Sequence, residues 1–404
     1  MTTETSHETS HETSQSQKSM GSTWLLALIP LLLLGAVLAY LVTTGGGLSE
    51  LAGPPVEQVT IQRITLPAPG EIRVEVVNDG PQAVTIPQVL VDDAYWSFSA
   101  DPGNIIPRLG RAIFTIPYPW VLEETHAVRL ITSLGTTFDG EIPVAVLSPA
   151  PSLSLFTRFG LIGIYVGVVP VLLGMLWYPL LRRLSRKAMD FILALTIGLL
   201  VFLAVGTWLD AQEFAAELPA FWQGAPLVFF VALATLGVLL AVGSRGGGGE
   251  RTSLQIAYLI ALGIGLHNLG EGLAIGAAYT AGEAALGTFL VLGFTLHNIT
   301  EGVGIAAPIV RKNPGLRHFA LLILLAGAPA MLGTWIGGFA FNPVWATLFL
   351  AVGIGAILQV VWEVGKLLVQ SSQRAGESAI NWMNLGGMGA GLAIMYLTAV
   401  LVKF

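Results

Sequence analysis

HNLGEGLAIGAA occupies residues 267–278, and HNITEGVGIAAP follows at 297–308. Each sets a histidine, an asparagine and a glutamate inside an apolar run of helical length. Whether those runs lie in a bilayer decides the fold, and the rest of the chain answers that. Of its 404 residues, 54% are hydrophobic and 11% charged, against about 25% charged in soluble domains. This is a membrane protein's composition. A net charge of −6 without a long basic run gives no nucleic-acid surface. Cysteine is absent, so there is no disulfide framework, thiolate metal site or cysteine nucleophile.

The polar start, MTTETSHETSHETSQSQKSMGS (1–22), repeats ETSH and reads as a disordered tail. His7 and His11 belong to it, and a solvated tail holds no fixed metal geometry. WLLALIPLLLLGAVLAYLV (24–42) is uninterrupted by charge and close to the ~20 residues needed to cross the hydrocarbon core. Its apolar run exceeds the ~7–15 residues of a cleaved signal core, so it reads as an uncleaved anchor over 23–43. Over 55–148 the pattern changes. VTIQRITL, EIRVEVVNDGP, AVTIPQVLV, AIFTIPY and AVRLITS alternate apolar and polar side chains between Gly, Pro, Asn and Asp. The expectation is a small all-β sandwich. With His126 alone, and neither cysteine nor methionine beside it, a blue-copper site cannot be assembled. A structural or partner-binding module is the reading for this segment.

Apolar blocks then follow at 159–181, 189–209, 221–243, 253–280, 284–310, 318–340, 343–369 and 382–402. The expected fold is an all-α polytopic bundle of eight helices over 159–404, preceded by one transmembrane helix and the β sandwich. Connections on one side carry Arg182, Arg183, Arg186, Lys187, Arg245, Arg251, Arg311, Lys312, Arg317 and Arg374, whereas 210–220, 281–283 and 341–342 carry no lysine or arginine. Basic loops face the cytoplasm. The expected topology in the cell (inner or plasma) membrane therefore has a cytoplasmic tail, with the β domain and C-terminus outside. GSRGGGGER lacks the lysine and spacing of a phosphate-binding loop and reads as a connector.

The opening motifs thus lie near mid-bilayer. His267 and Glu271, like His297 and Glu301, stand four apart and share a helix face. Asn268 and Asn298 flank that face. The short connection at TAGEA makes the two helices antiparallel neighbours, so six polar groups can converge. An intramembrane carboxylate costs roughly 2.5–3.5 kcal/mol on insertion scales. A single His or Asn per helix is explained by helix-to-helix hydrogen bonding, but a duplicated HNxxEG at matched depth points to a ligand. Imidazole with carboxylate suits zinc, ferrous iron or manganese. Gly272 and Gly302 allow close helix approach.

HNLGEGLAIG followed by HNITEGVGIAAP resembles the fourth and fifth helices of the ZIP family of divalent-metal transporters, especially its prokaryotic branch. The likeness extends to helix count and orientation over 159–404. It leaves out the tail, the first span and the β domain. It implies metal coordination by His267, Asn268, Glu271, His297, Asn298 and Glu301, and inward passage as one helix group moves against another, elevator-like. The family's proline before the glutamate is Gly270 in one motif and Thr300 in the other. The sixth helix offers AGAPAMLG (326–333) where many members place a glutamate, and the second offers GLLVFLAVG where some contribute a ligand. A single metal site is therefore the expectation.

Asp210, with Glu213 and Glu217, reads as an acidic entrance or a solvated loop. Gln359 and Glu363 read as exit ligands, with an ion pair from Glu363 to Lys366 as the alternative. His318 reads as interfacial. The expected function is transport of a divalent cation, zinc before iron or manganese in stability order, with the metal as substrate rather than cofactor and no enzymatic activity. The rivals are an intramembrane metal-dependent hydrolase, whose HExxH signature the chain lacks, and a metal-sensing receptor. Ligands must shed protons to bind metal, so uptake is expected to weaken as pH falls toward ~5. The expected partners are the divalent ion and the lipid bilayer, with no nucleic acid. GGMGAG (386–391) permits either internal packing or a homodimer contact.

Overall fold

The computed structural model describes residues 20–44, 56–148, 150–244, 252–280 and 284–402. His7 and His11, Arg245 and Arg251, and the centre of the TAGEA connection lie outside the described residues. Two units are distinguished, 1–56 and 57–404. In the first, helix α1 (Met20–Thr44) covers the expected anchor and contains Pro30. It begins inside the segment read as tail, a shift within the usual uncertainty of helix ends.

The second unit opens with ten strands: β1 (Val59–Ala68), β2 (Glu71–Asn78), β3 (Val84–Thr85), β4 (Gln88–Val91), β5 (Ala94–Trp96), β6 (Ser99–Asp101), β7 (Ile105–Ile106), β8 (Arg111–Ile116), β9 (His126–Ile131) and β10 (Thr137–Ile142). They form antiparallel sheets ordered β1-β2-β8-β6 and β10-β9-β4-β5, with a β3-β7 ribbon. Along β2, Ile72, Val74 and Val76 point inward and alternate with Arg73 and Glu75, as a strand with one buried face requires. They share one core with Phe114, Val89, Val128 and Leu130, which makes the expected sandwich. One expected strand is corrected. AVTIPQVLV divides into β3 and β4 in different sheets, because Pro87 has no N–H to give a ladder.

Asp92 staples the sandwich. It stands in the left-handed region at φ 51°. Its Oδ2 accepts from Tyr118 Oη at 2.5 Å and pairs with His126 Nδ1 at 2.7 Å, and its Oδ1 accepts from the Ala127 N–H at 2.9 Å. The Val121 N–H points at His126 Nε2 at 3.3 Å, so both ring nitrogens are occupied by the fold. Burial pushes the Asp92 carboxyl up, but the Tyr118 and Ala127 hydrogen bonds, with His126, outweigh it and hold it below its ordinary value. The hydrogen bond to Asp92 pushes the Tyr118 hydroxyl up to about 12.

Eight helices long and apolar enough to cross a membrane follow: α2 (Leu153–Leu181), α3 (Arg186–Ala216), α4 (Gly224–Ser244), α5 (Ser253–Thr280), α6 (Ala284–Ala306), α7 (Leu316–Ala340), α8 (Pro343–Arg374) and α9 (Trp382–Val402). The chain is a multi-pass helical membrane protein. Three ends differ from expectation. α2 starts at Leu153, capped by Ser152; α8 runs on to Arg374; and α3 continues to Ala216, so Asp210 and Glu213 are helical rather than in a loop. Just before α4, the Ala220 N–H donates to Asp79 Oδ2 of the sandwich at 2.8 Å.

Glycine decides how the helices pack. α2, α5, α6 and α7 form one group and α3, α4, α8 and α9 another. Within the first, a methyl added at Gly167, Gly174, Gly265, Gly272, Gly333 or Gly337 would lie 2.0–2.2 Å from a carbonyl oxygen of a neighbouring helix. Within the second, the same holds at Gly198 and Gly391. These are backbone-to-backbone seams, the close approach small residues permit where lipid supplies no hydrophobic drive. Between the groups the nearest atoms are side chains, and backbone stands farther off, at 3.1 Å from a methyl added at Gly263 and 3.5 Å from one added at Gly353. Gly304 faces Thr196 Cγ2 at 3.3 Å, Gly270 faces Leu350 Cδ2 at 3.3 Å, and Gly263 faces Val360 and Gln359.

Candidate metal centre

His267 is mid-way along α5 and His297 past the middle of α6. The spacing of four carries Glu271 and Glu301 onto the same faces, and the structure buries all four side chains at 5% exposure or less. Glu271 Oε1 lies 2.9 Å from His267 Nε2 and 2.6 Å from His297 Nε2, so one carboxylate oxygen bridges two imidazoles from two helices. Both oxygens of Glu301 are buried with no hydrogen-bond partner among the described residues, as is His267 Nδ1.

An unpartnered buried carboxylate is expensive to maintain, and its surroundings suggest what would satisfy it. His267, His297 and Glu301 each offer a ligand atom, all within 4.8 Å of one another. Ligands about 2.0–2.2 Å from one tetrahedral zinc ion lie roughly 3.3–3.6 Å apart. Side-chain movement of about an ångström brings atoms at the 4.8 Å limit to that spacing. Glu271, already on both rings, is placed either to join the ligands or to orient the imidazoles as a carboxylate behind a metal-bound histidine does.

The two asparagines each engage a neighbouring helix through the amide nitrogen, which leaves Oδ1, the atom a metal would take, unpaired. Pro170 in α2 has no N–H, which deprives the Val166 carbonyl of its helical donor. The turn there loosens to a π-helical segment, Ile164–Val168. Asn298 Nδ2 donates to that Val166 carbonyl at 3.0 Å, and reaches Glu271 Oε2 only at 3.4 Å. Pro329 lies inside α7 and by the same rule frees the Leu325 carbonyl; Asn268 Nδ2 donates to the adjacent Ala326 carbonyl at 3.0 Å. The amide nitrogens thus tie the motif helices to proline-broken neighbours. Their Oδ1 atoms are buried without partners and face no assigned donor.

Gly272 and Gly302 meet expectation: an added methyl would lie 2.1 Å from the Ala330 carbonyl and 2.4 Å from that of Val171. Gln359 and Glu363 are both buried on α8. Gln359 lies against Gly263, one turn before His267 on α5, and both its amide atoms lack partners among the described residues. Glu363 lines a cavity at the basic end of the bundle. The Lys366 ammonium sits 4.9 Å above the Trp362 ring. Asp210 is exposed on α3 and joins neither the buried quartet nor that cavity. Burial, then Glu213, raises the Glu217 carboxyl above its ordinary value. His318 Nδ1 lies 2.9 Å from Tyr258 Oη, off the site.

Sequence reasoning missed Pro170 and Pro329 as part of the centre. For Pro170 the signal was present: a proline inside an apolar run leaves a carbonyl that a neighbour must satisfy, and Asn298 was an available donor. No family model and no curated protein matches this chain.

Proposed function

We propose that this protein carries a divalent cation, zinc or an ion of similar ligand preference, across its membrane through the buried His267–Glu271–His297–Glu301 centre. The reading rests on one observation: a buried carboxylate with no close hydrogen bond, Glu301, with an oxygen within 4.8 Å of nitrogens of two imidazoles at mid-helix depth. A purely structural polar cluster would satisfy its own carboxylates. The resemblance of the two motifs to ZIP transporters supports the same reading.

The packing supports a route and a motion. All four groups of the centre belong to the α2–α5–α6–α7 group, sealed internally by its glycine seams. The side-chain interface with α3–α4–α8–α9 runs past His267, where Gly353 of α8 is 3.4 Å from Nδ1 counted from an added methyl, then past Gln359 and Glu363. In this proposal the first group slides as a body along the second, and the cation leaves past Gln359 and Glu363 toward the basic, cytoplasmic end. The cation is substrate; no bond of it is chemically transformed.

The test is uptake of radioactive zinc into proteoliposomes, beside H267A/E301A. Saturable uptake lost in the double variant supports the proposal. Zinc binding without passage of zinc, iron or manganese would sink it and favour a sensor or a hydrolase.

A further inference from the structure

At the basic end of the bundle, the ends of α2, α3, α5 and α8 and the connection between α6 and α7 enclose a cavity of about 830 Å3. Six cations line it: Arg182, Arg186, Arg311, Lys312, Lys366 and Arg374. Its acidic lining among the described residues is Asp190 and Glu363. Asp190 is already engaged, by Arg186 Nη1 at 2.7 Å and Ser371 Oγ at 2.5 Å. Arg186 is also held by Glu377 at 2.7 Å. Arg311, Lys312 and Arg374 are exposed and make no ion pair among the described residues.

Arginines and lysines that merely flank a membrane helix reach outward to the interface. Here they converge on one hollow from separate segments, and its wall is pinned. Arg182 Nη1 donates to Asn313 Oδ1 at 2.8 Å, and Tyr178 Oη donates to the Lys312 carbonyl. These two bonds fix the backbone of the 311–313 segment to the end of α2, so Arg182 and the segment that carries Arg311 and Lys312 are neighbours before any ligand arrives. Such preorganisation lowers the ordering cost of binding.

The charge balance selects the ligand. Among the described residues six cations outnumber two carboxylates, a balance that favours an oxyanion as the resident ligand. Guanidinium groups match phosphate through paired N–H donors. The volume lies within the ~300–1,000 Å3 of small-molecule sites, and basic pockets between membrane helices suit phosphorylated headgroups. We propose that this cavity binds a phosphate-bearing anion, held by Arg182, Arg311, Lys312 and Arg374. Free phosphate and the headgroup of an anionic phospholipid present the same chemistry.

Isothermal titration of the full-length protein in non-ionic detergent separates the sources. The probes are inorganic phosphate, short-chain phosphatidic acid and, as control, short-chain phosphatidylcholine. Saturable binding is expected, weakened at least tenfold in R311Q/K312Q and in R374Q, retained in the charge-preserving R311K/K312R, and unchanged in R108Q of the β sandwich. Binding of inorganic phosphate assigns a free oxyanion; binding of phosphatidic acid alone assigns a lipid headgroup. The proposal is overturned if neither probe saturates, if phosphatidylcholine binds equally well, or if the Arg311, Lys312 and Arg374 variants bind as tightly as R108Q.

Discussion

Asn298 supplies to the Val166 carbonyl the hydrogen bond that Pro170 cannot make. The proline breaks one helix, and the motif of another repairs it. The amide nitrogen of Asn298 thereby clamps α6 in the register that brings His297 to Glu271, while its Oδ1 stays unpaired.

That relationship predicts a coupling. N298A leaves a buried carbonyl without a donor, and such a loss costs about 1–3 kcal/mol. P170A restores an N–H to the helix, so N298A introduced into P170A is expected to cost less than half as much as in the parent chain. Thermal unfolding of the four proteins in detergent gives the cycle; equal costs in both backgrounds would remove the clamp.

Glu301 and Glu271 should separate. E301Q removes an unpartnered carboxylate, so the metal-free protein is expected to be as stable as the parent or more so. E271Q disturbs the oxygen shared by two imidazoles, and is expected to lower stability by about 1–3 kcal/mol. Excess zinc at ~100 times Kd should stabilise the parent by about 2.7 kcal/mol, and E301Q not at all. A zinc shift that survives in E301Q would place the metal elsewhere.

The seams predict unequal tolerance for a single methyl. G272A drives a methyl against the Ala330 carbonyl, and overpacking of this kind costs about 1–3 kcal/mol. G353A meets His267 Nδ1 at ordinary contact distance, 3.4 Å, so it should unfold within about 0.5 kcal/mol of the parent. Comparing the two melting transitions checks the claim; similar losses would erase the distinction between the seams and the sliding surface.

The β sandwich has its own pH window. Asp92 has a lowered pKa in the fold, so its stabilisation is present above the ordinary carboxylate range and is lost as pH falls through the folded value. Tyr118 has a raised pKa, about 12, so its contribution is complete below ~10 and is lost as pH climbs from there through about 12. Y118F is expected to flatten the alkaline loss and, because the Tyr118 hydrogen bond is the largest effect lowering Asp92, to reduce the acid loss as well. D92N, which still tolerates the left-handed backbone, should cost less than D92A. Near-ultraviolet circular dichroism of the full chain across pH 3–12 reads all three.

Much of this was legible in the residues. Apolar runs of bilayer length, an asymmetry of basic loops and an alternating segment gave the order of elements, because each depends on local periodicity alone. The His–Glu pairs were legible for the same reason: i,i+4 geometry is fixed once a helix is assumed. The amide-nitrogen contacts of the asparagines were harder to read, because their partners, Val166 and Ala326, lie on helices remote in sequence. The division at Pro87 followed from a missing donor that a pattern of apolar alternation does not count. The grouping of helices was invisible too, since a glycine in the chain says that something comes close but not what.

The hydrogen bond between Asp79 and Ala220 has a mechanical consequence. The sandwich is tethered by the chain to α2, in one helix group, and touches the polypeptide just ahead of α4, in the other. If the two helix groups move as proposed, the displacement must either release Asp79 or rearrange the chain between the sandwich and α2, so the sandwich would act as a brake that grips through the Asp79 carboxylate.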